Sequence, residues 1–343
     1  LGGQVVRDLH IINAFSARLE AGMLGALAQD EAVNWVSLDA PVERSGKPAP
    51  PPEPSEPANY YLDTLGVRQV WDMGYTGEGI GIAVVDSGVA TDRDFSTEPG
   101  KPFSRIIKAV SFSENSFQTS DLYGHGTHVA GIVAGHGGES DGFYRGIAPK
   151  ADVISLKICD DFGMAYESDT VASLQWVLDY KDQYNIRVVN MSVNSTVEQS
   201  YHTSPLDAAV EILWFNGVVV VVSAGNYGDQ INPADAAPAN DPFVITVGAA
   251  DELGTPERTD DEVAYYSAYM PYTIDGFSKP DIIAPGHSIY SVLATSSDWK
   301  NNYPERCAFD CEYFRLSGTS MAAPMVTGAV ALLLQAEPDL NPD

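Results

Sequence analysis

GIGIAVVD, residues 79–86, is an unbroken apolar run that closes on a carboxylate. A strand with one wet face alternates polar and apolar residues, whereas a strand covered on both faces need not. The run therefore predicts a buried strand of a parallel sheet. Four runs of the same kind follow: ADVISLKI (151–158), IRVVNMSV (186–193), VVVVVSAGN (218–226) and PFVITVGAA (242–250). Helix-length segments accompany them at Gly126–Gly135, Asp169–Lys181, Pro205–Asn216 and Ser320–Ala336. Strands separated by helices imply right-handed crossovers and predict an α/β fold with a mostly parallel central sheet and helices on both faces. Sites in such sheets gather at the carboxyl ends of the strands, so the residues that close the runs become candidates.

The formal charge is −28, from 19 basic and 47 acidic residues. That balance argues against nucleic acid and anionic membrane surfaces as partners. It leaves two readings, attraction of cationic substrates and solubility of an exported protein. No stretch approaches the roughly 20 unbroken apolar residues of a membrane span. Three cysteines are too few for a disulfide scaffold. Cys307 and Cys311 are near enough in sequence to bridge a small loop or to remain thiols, and Cys159 reads as a buried small hydrophobe. The chain starts at Leu1 with no leader-like segment and stops at AEPDLNPD, just past a helical stretch. It reads as a fragment or processed form whose last domain is cut short at its C-terminus.

Residues 1–42 read as a compact β-α-β piece. VVRDLHIINAFSARL supplies the first strand, Met23, Leu24, Leu27 and Ala28 space a helical face, and AVNWVSLDAPV returns as a second strand. About forty residues close a poor core alone, so the piece must lean on something else. Residues 43–58, ERSGKPAPPPEPSEPA, contain seven prolines and glycines and read as an extended linker open to proteolysis. The alternating pattern then occupies 59–343.

Among the residues that close the runs, Asp86 is either chemical or a turn cap. His125, in YGHGTHVAGIVAG (123–135), enters a helix between glycines. His125 and His128 invite a zinc reading, but the glutamate and the i, i+4 histidines of a zinc-protease helix are missing. His128, one turn on, reads as a structural hydrogen-bonded residue. Ser320, in SGTSMAAPMVTGAVALLL (317–334), sits at a helix start, where backbone N–H groups are unpaired and the helix dipole is positive. It is a helix cap or a nucleophile. Asn226, in VVSAGN, is a turn residue or an amide donor to a developing oxyanion. No G-x-S-x-G elbow of the α/β-hydrolase type occurs.

In combination and in this order, VVDSG at Asp86, GHGTHVAG at His125, SAGN at Asn226 and GTSMAAPMVTG at Ser320 resemble the subtilases, the subtilisin-like serine proteases. The resemblance runs from about Asn59 to Asp343 and implies a subtilisin-like three-layer sandwich. It implies a serine endopeptidase in which Ser320 is the nucleophile, His125 the base, Asp86 its orienting partner and Asn226 an oxyanion donor. FSARL and LGALAQDEAVNWVSLDAPV resemble the final part of an inhibitor-type prodomain, which in that family packs on the protease and leaves its tail in the active site. The partners implied are protein or peptide substrates and the chain's own prodomain, with no nucleic acid and no membrane.

By motif position, an extended substrate pairs with Ser192, Val193 and Asn194 on one side and Gly163, Met164 and Ala165 on the other. Ser223, Ala224 and Gly225 wall the primary pocket. The family commonly has glycine where Asn194 stands, so its side chain either narrows that pocket or replaces a main-chain contact. Glu167 reads as a solvated glutamate near an outer subsite. The resemblance requires no cofactor, admits structural calcium with Asp94 as a weak candidate ligand, and implies a secreted, extracellular protein. A protease-like binding module is the competing reading, opposed by the four intact catalytic positions.

Overall fold

The computed structural model describes residues 3–44, 59–97, 104–116, 118–228, 236–269 and 271–343. At the N-terminus β1 (Gln4–Leu9) and β2 (Ala14–Arg18) form an antiparallel hairpin, followed by β3 (Pro41–Arg44). The body begins with β4 (Gly81–Asp86), β5 (Ile106–Ser111), helix α1 (His125–Ala134), β6 (Asp152–Lys157), β7 (Ala165–Tyr166) and α2 (Glu167–Tyr180). It continues with β8 (Ile186–Met191), β9 (Val193–Ser195), α3 (Pro205–Phe215), β10 (Val219–Ser223) and β11 (Ile245–Asp251). The remaining elements are β12 (Glu262–Val263), β13 (Ile282–Pro285), β14 (Ile289–Val292), β15 (Cys307–Ala308), β16 (Tyr313–Leu316) and α4 (Thr319–Ala336).

The central sheet runs in the order β12-β11-β10-β8-β4-β6-β5, with β13 also on β11. All its pairs are parallel except β11 with β12. Its middle strands β4, β8 and β10 are mostly apolar and buried because both faces are covered, whereas β12 at the edge is exposed. Successive residues of β4 feed opposite cores: Ile82 and Val84 join Val129 and Ile132 of α1 and Met321 and Met325 of α4. Ala83 and Val85 join Val171 and Leu174 of α2 and Val210 and Leu213 of α3. The period of two thus produces the three-layer α/β sandwich. Helix α4 is long and apolar enough to cross a membrane, but it packs as a core helix on the sheet and on α1. Cys307 and Cys311 form a disulfide, and Cys159 is buried.

The N-terminal piece departs from the expected β-α-β. Its first strand breaks into the β1–β2 hairpin, turning at Asn13 with φ +52°. The helix shrinks to short turns at Ala21–Met23 and Leu24–Leu27, with Met23 and Leu24 exposed. Residues 32–40 form no strand. Pairing begins only at Pro41, where β7 and β9 flank the chain on both sides. A strand exists where edges supply its hydrogen bonds, and the sequence of one segment does not reveal where those edges lie. The expected linker 43–58 loses Glu43 and Arg44 to β3, and its residues 45–58 lie outside the described residues.

One buried cation ties the body together. Arg105, 4% exposed, donates to the carbonyls of Ser96, Ala151, Asp94 and Ala134. It thereby joins the loop after β4, the end of α1 and the approach to β6. Replacing it by methionine takes a donor from all four carbonyls, of which Asp94's keeps the His136 N–H. Arg105→Met is expected to cost about 3 kcal/mol or more, read as a lower urea midpoint.

Candidate active site

Asp86 is the last residue of β4 and is fully buried. Its carboxylate receives the Nδ1–H of His125 at 2.8 and 2.9 Å, and the Ser87 N–H at 2.7 Å. An imidazole that donates from Nδ1 presents Nε2 as its basic nitrogen. His125 opens α1 because Gly124, at φ +106°, turns the chain into the helix through the left-handed region. Gly126 lets that turn press on the end of β4: a Cβ there would lie 2.1 Å from the Gly88 carbonyl.

Ser320 is the second residue of α4 and only 3% exposed. In the β4–β8 ladder Val85 faces Met191, so Asp86 and Ser192 leave neighbouring strands side by side. The Ser320 hydroxyl donates to the Ser192 carbonyl at 3.4 Å, which brings it to the same rim. Asn226 follows β10, and its Oδ1 accepts the Thr319 N–H at 2.8 Å and the Thr319 hydroxyl at 3.1 Å. This fixes the amide so that Nδ2 lies beside Gly318. A Cβ on Gly318 would meet Asn226 Nδ2 at 3.0 Å and both Asn226 Oδ1 and Ser320 N at 3.7 Å, so the missing side chain leaves a space beside the Asn226 amide and the Ser320 N–H.

The expected substrate segments meet a strand of this same chain. β3 lies antiparallel between β7 and β9, with Val42 opposite Ala165 and Ser195, Glu43 opposite Asn194 and Arg44 opposite Val193. Gly163 and Met164 form the turn that leads into β7 and do not pair with β3. Ser223, Ala224 and Gly225 run past α4, where the Gly225 N–H donates to Thr319 Oγ1 at 3.1 Å. The Asn194 side chain donates to the Ser223 carbonyl at 3.0 Å. Glu167 is not solvated: it is 4% exposed, accepts the Ser195 hydroxyl at 2.6 Å, and burial pushes its carboxyl up to about 7. His128 is the structural residue expected, fully buried with Nε2 on the Phe314 carbonyl, and burial pulls its pKa down to about 3.

Residues 77–343 match the family model described as the Subtilase family. The chain belongs to the subtilases. It is 37% identical to the serine protease AprX of Bacillus subtilis over 273 residues, which cover 78% of this chain and 60% of AprX. It is 32% identical over 274 residues to thermitase of Thermoactinomyces vulgaris, covering 80% of this chain and 81% of thermitase. Subtilisin E of Bacillus subtilis is 28% identical over 339 residues, 98% of this chain and 74% of subtilisin E.

Three supporting residues of this subtilase were not singled out from its sequence. Asp121, fully buried, accepts from the Ser87 hydroxyl at 2.9 Å, the Gly124 N–H at 2.7 Å, and the Thr127 N–H and hydroxyl at 2.9 and 2.7 Å. Ser87 Oγ in turn accepts the Gly126 N–H, and Thr127 Oγ1 accepts the Ala90 N–H. The available signal was an aspartate placed four residues before His125, where a helix start needs acceptors. Asp94, the weak calcium candidate, accepts the Gly138 N–H on Oδ1 and the Tyr313 hydroxyl on Oδ2, at 2.8 and 2.6 Å. No group of three or more His, Cys, Asp or Glu suited to a metal occurs among the described residues.

Asp121→Asn keeps the size of the side chain but turns an NH2 toward donors. It is expected to lower kcat about tenfold or more and to lower the thermal midpoint, since a buried donor facing donors loses hydrogen bonds on both sides. Peptidase kinetics and a thermal melt read the two effects together.

Proposed function

We propose that the chain is a serine endopeptidase that works through an acyl-enzyme and is held inactive by its own N-terminal segment. The observation that carries this reading is β3, an extended segment paired on both sides and directed along β9 toward Ser320. Two-sided strand addition gives affinity through the main chain and fits a protein or peptide substrate bound in extended form.

In this mechanism the Ser320 hydroxyl exchanges its contact with the Ser192 carbonyl for His125 Nε2 and adds to the scissile carbonyl. The imidazole takes the hydroxyl proton, and Asp86 holds the ring and stabilises its charge through the Nδ1 hydrogen bond. The oxygen of the tetrahedral adduct enters the space beside Gly318, facing Asn226 Nδ2 and the Ser320 N–H. His125 then returns the proton to the leaving amine, and water repeats the sequence on the ester. No cofactor takes part in any step.

The N-terminal piece acts as a prodomain in this reading. Leu9 and Ile11 are buried against the α2–α3 face, and Arg7 pairs with Asp169 at 2.6 Å. Asp39 accepts the Ser168 N–H at 3.0 Å and its hydroxyl at 2.8 Å, capping α2 from outside. The match to subtilisin E includes this piece, since it covers 98% of the chain. A disulfide at Cys307–Cys311 and the charge of −28 support an extracellular setting.

A fluorophosphonate probe is expected to label the wild-type chain and not Ser320→Ala. Labelling of both, or of neither after the linker is nicked with trypsin, overturns the nucleophile. Asn226→Ala is expected to keep labelling while kcat falls about 10²–10³-fold, the usual cost of one oxyanion donor. Self-processing is expected between Asp39 and Asn59. N-terminal sequencing of active material that still begins at Leu1 would refute it.

A further inference from the structure

Helix α4 carries a proline about one turn after the proposed nucleophile. Pro324 has no N–H, so the carbonyl of Ser320, four residues earlier, receives no bond from the usual helix donor. Ser320 is 3% exposed, and a buried carbonyl without a donor is costly. The missing donor comes from outside the helix: the Ser192 hydroxyl donates to the Ser320 carbonyl at 3.2 Å. Ser192 therefore holds Ser320 at two points, since its own carbonyl accepts the Ser320 hydroxyl at 3.4 Å.

A serine hydroxyl has a single hydrogen, and what directs it here lies deeper in the sheet. Asn190 is a polar residue inside β8, fully buried between Val189 and Met191. Its Oδ1 accepts the hydroxyl of Thr327, a buried residue of α4, at 2.8 Å. That bond turns Nδ2 toward Ser192 Oγ, to which it donates at 3.2 Å. Ser192 Oγ is an acceptor on that side, so its hydrogen is left for the Ser320 carbonyl. The series Thr327, Asn190, Ser192, Ser320 thus runs from donor to acceptor throughout, from within α4 back to its first turn. Thr327, Asn190 and Ser192 are all fully buried, out of reach of bulk solvent.

We infer that Thr327 and Asn190 are positioning residues for the nucleophile: they fix the direction of the Ser192 hydroxyl, which replaces the N–H that Pro324 lacks and holds the first turn of α4. The inference rests on Ser320 being the nucleophile. Thr327→Val keeps the shape of the side chain and removes its hydroxyl. The Asn190 amide, no longer held, turns over and presents Oδ1 to Ser192, which draws the hydrogen away from the Ser320 carbonyl. The first turn of α4 then shifts, and Ser320 Oγ moves with it relative to His125 Nε2.

The test uses the full chain, incubated until the fraction labelled by a fluorophosphonate probe is constant. Turnover is measured per labelled site on a peptide p-nitroanilide that the wild type cleaves. In Thr327→Val kcat is expected to fall about tenfold or more with KM within about twofold, and the rate constant of labelling to fall with kcat. Thr327→Ser, which keeps the hydroxyl, is expected to stay within about threefold of wild type. A role confined to stability would lower the thermal midpoint of Thr327→Val and leave its kcat per labelled site unchanged, and that result overturns this inference alone. So does Thr327→Ser falling as far as Thr327→Val. If Thr327→Val does not fold, Ser192→Ala tests the other end of the series: a similar fall in kcat is expected, and an unchanged kcat overturns the inference. A wild-type chain that never labels overturns the nucleophile and this inference with it.

Discussion

The carboxylate of Asp121 is the constraint on which the site depends. It lies under the junction of β4 and α1 and gathers donors from both sides of it, Ser87 from the strand end and Gly124 and Thr127 from the helix start. The N-terminus of α1 therefore has its orphan N–H groups satisfied by a side chain outside the helix. His125 then emerges at a fixed angle, and its ring meets Asp86 with Nδ1 inward. Burial raises the pKa of Asp121, while the hydrogen bonds from Gly124 and Thr127 act in the opposite direction. A buried acid with several aligned donors is costly to make and rigid once made, and that rigidity is what an acid–base pair at the end of a strand requires.

A second constraint is that α2 begins with its cap supplied from elsewhere in the chain. No side chain of its own closes the helix start, and Asp39 and the Ala40 carbonyl meet Ser168 and Glu167 instead. The same stretch of chain then becomes β3. Helix capping and strand addition are thus consecutive acts of six residues, Asp39 to Arg44, and each helps hold the other in register. Val42 buries its side chain at the crossing, 2% exposed, so the segment is anchored by a main-chain ladder, a cap and one apolar contact.

What could be read from sequence divides along one line. Five strands of the central sheet and the four long helices lie within a few residues of the apolar runs and periodic segments that announced them, because burial on both faces is written into each run, whereas no such run announces β5, β12 or β13. Asp86, His125, Asn226 and Ser320 were visible because a strand or helix end plus a small-residue motif is a local pattern. Glu167 is buried and not solvated because its partners are distant in sequence: the Ser195 hydroxyl, 28 residues away, and the Ala40 carbonyl, which accepts its N–H. The absence of a strand over 32–40 and the extension of β3 through Arg44 also depend on distant edges. Contacts of that kind are properties of the folded chain, and no window of the sequence contains them.

Two asparagines at the same rim show how the scaffold decides what an amide does. In Asn226 the oxygen is engaged by Thr319, so the NH2 is directed to the space that Gly318 leaves open. In Asn194 the NH2 is engaged by the carbonyl of Ser223, and the amide joins β9 to the end of β10. The side chains are chemically identical and both are positioned by a partner close in space and distant in sequence. What differs is which end of the amide the partner takes. Where the scaffold takes the acceptor, the NH2 is turned toward Gly318; where it takes the donor, the amide ties β9 to the end of β10.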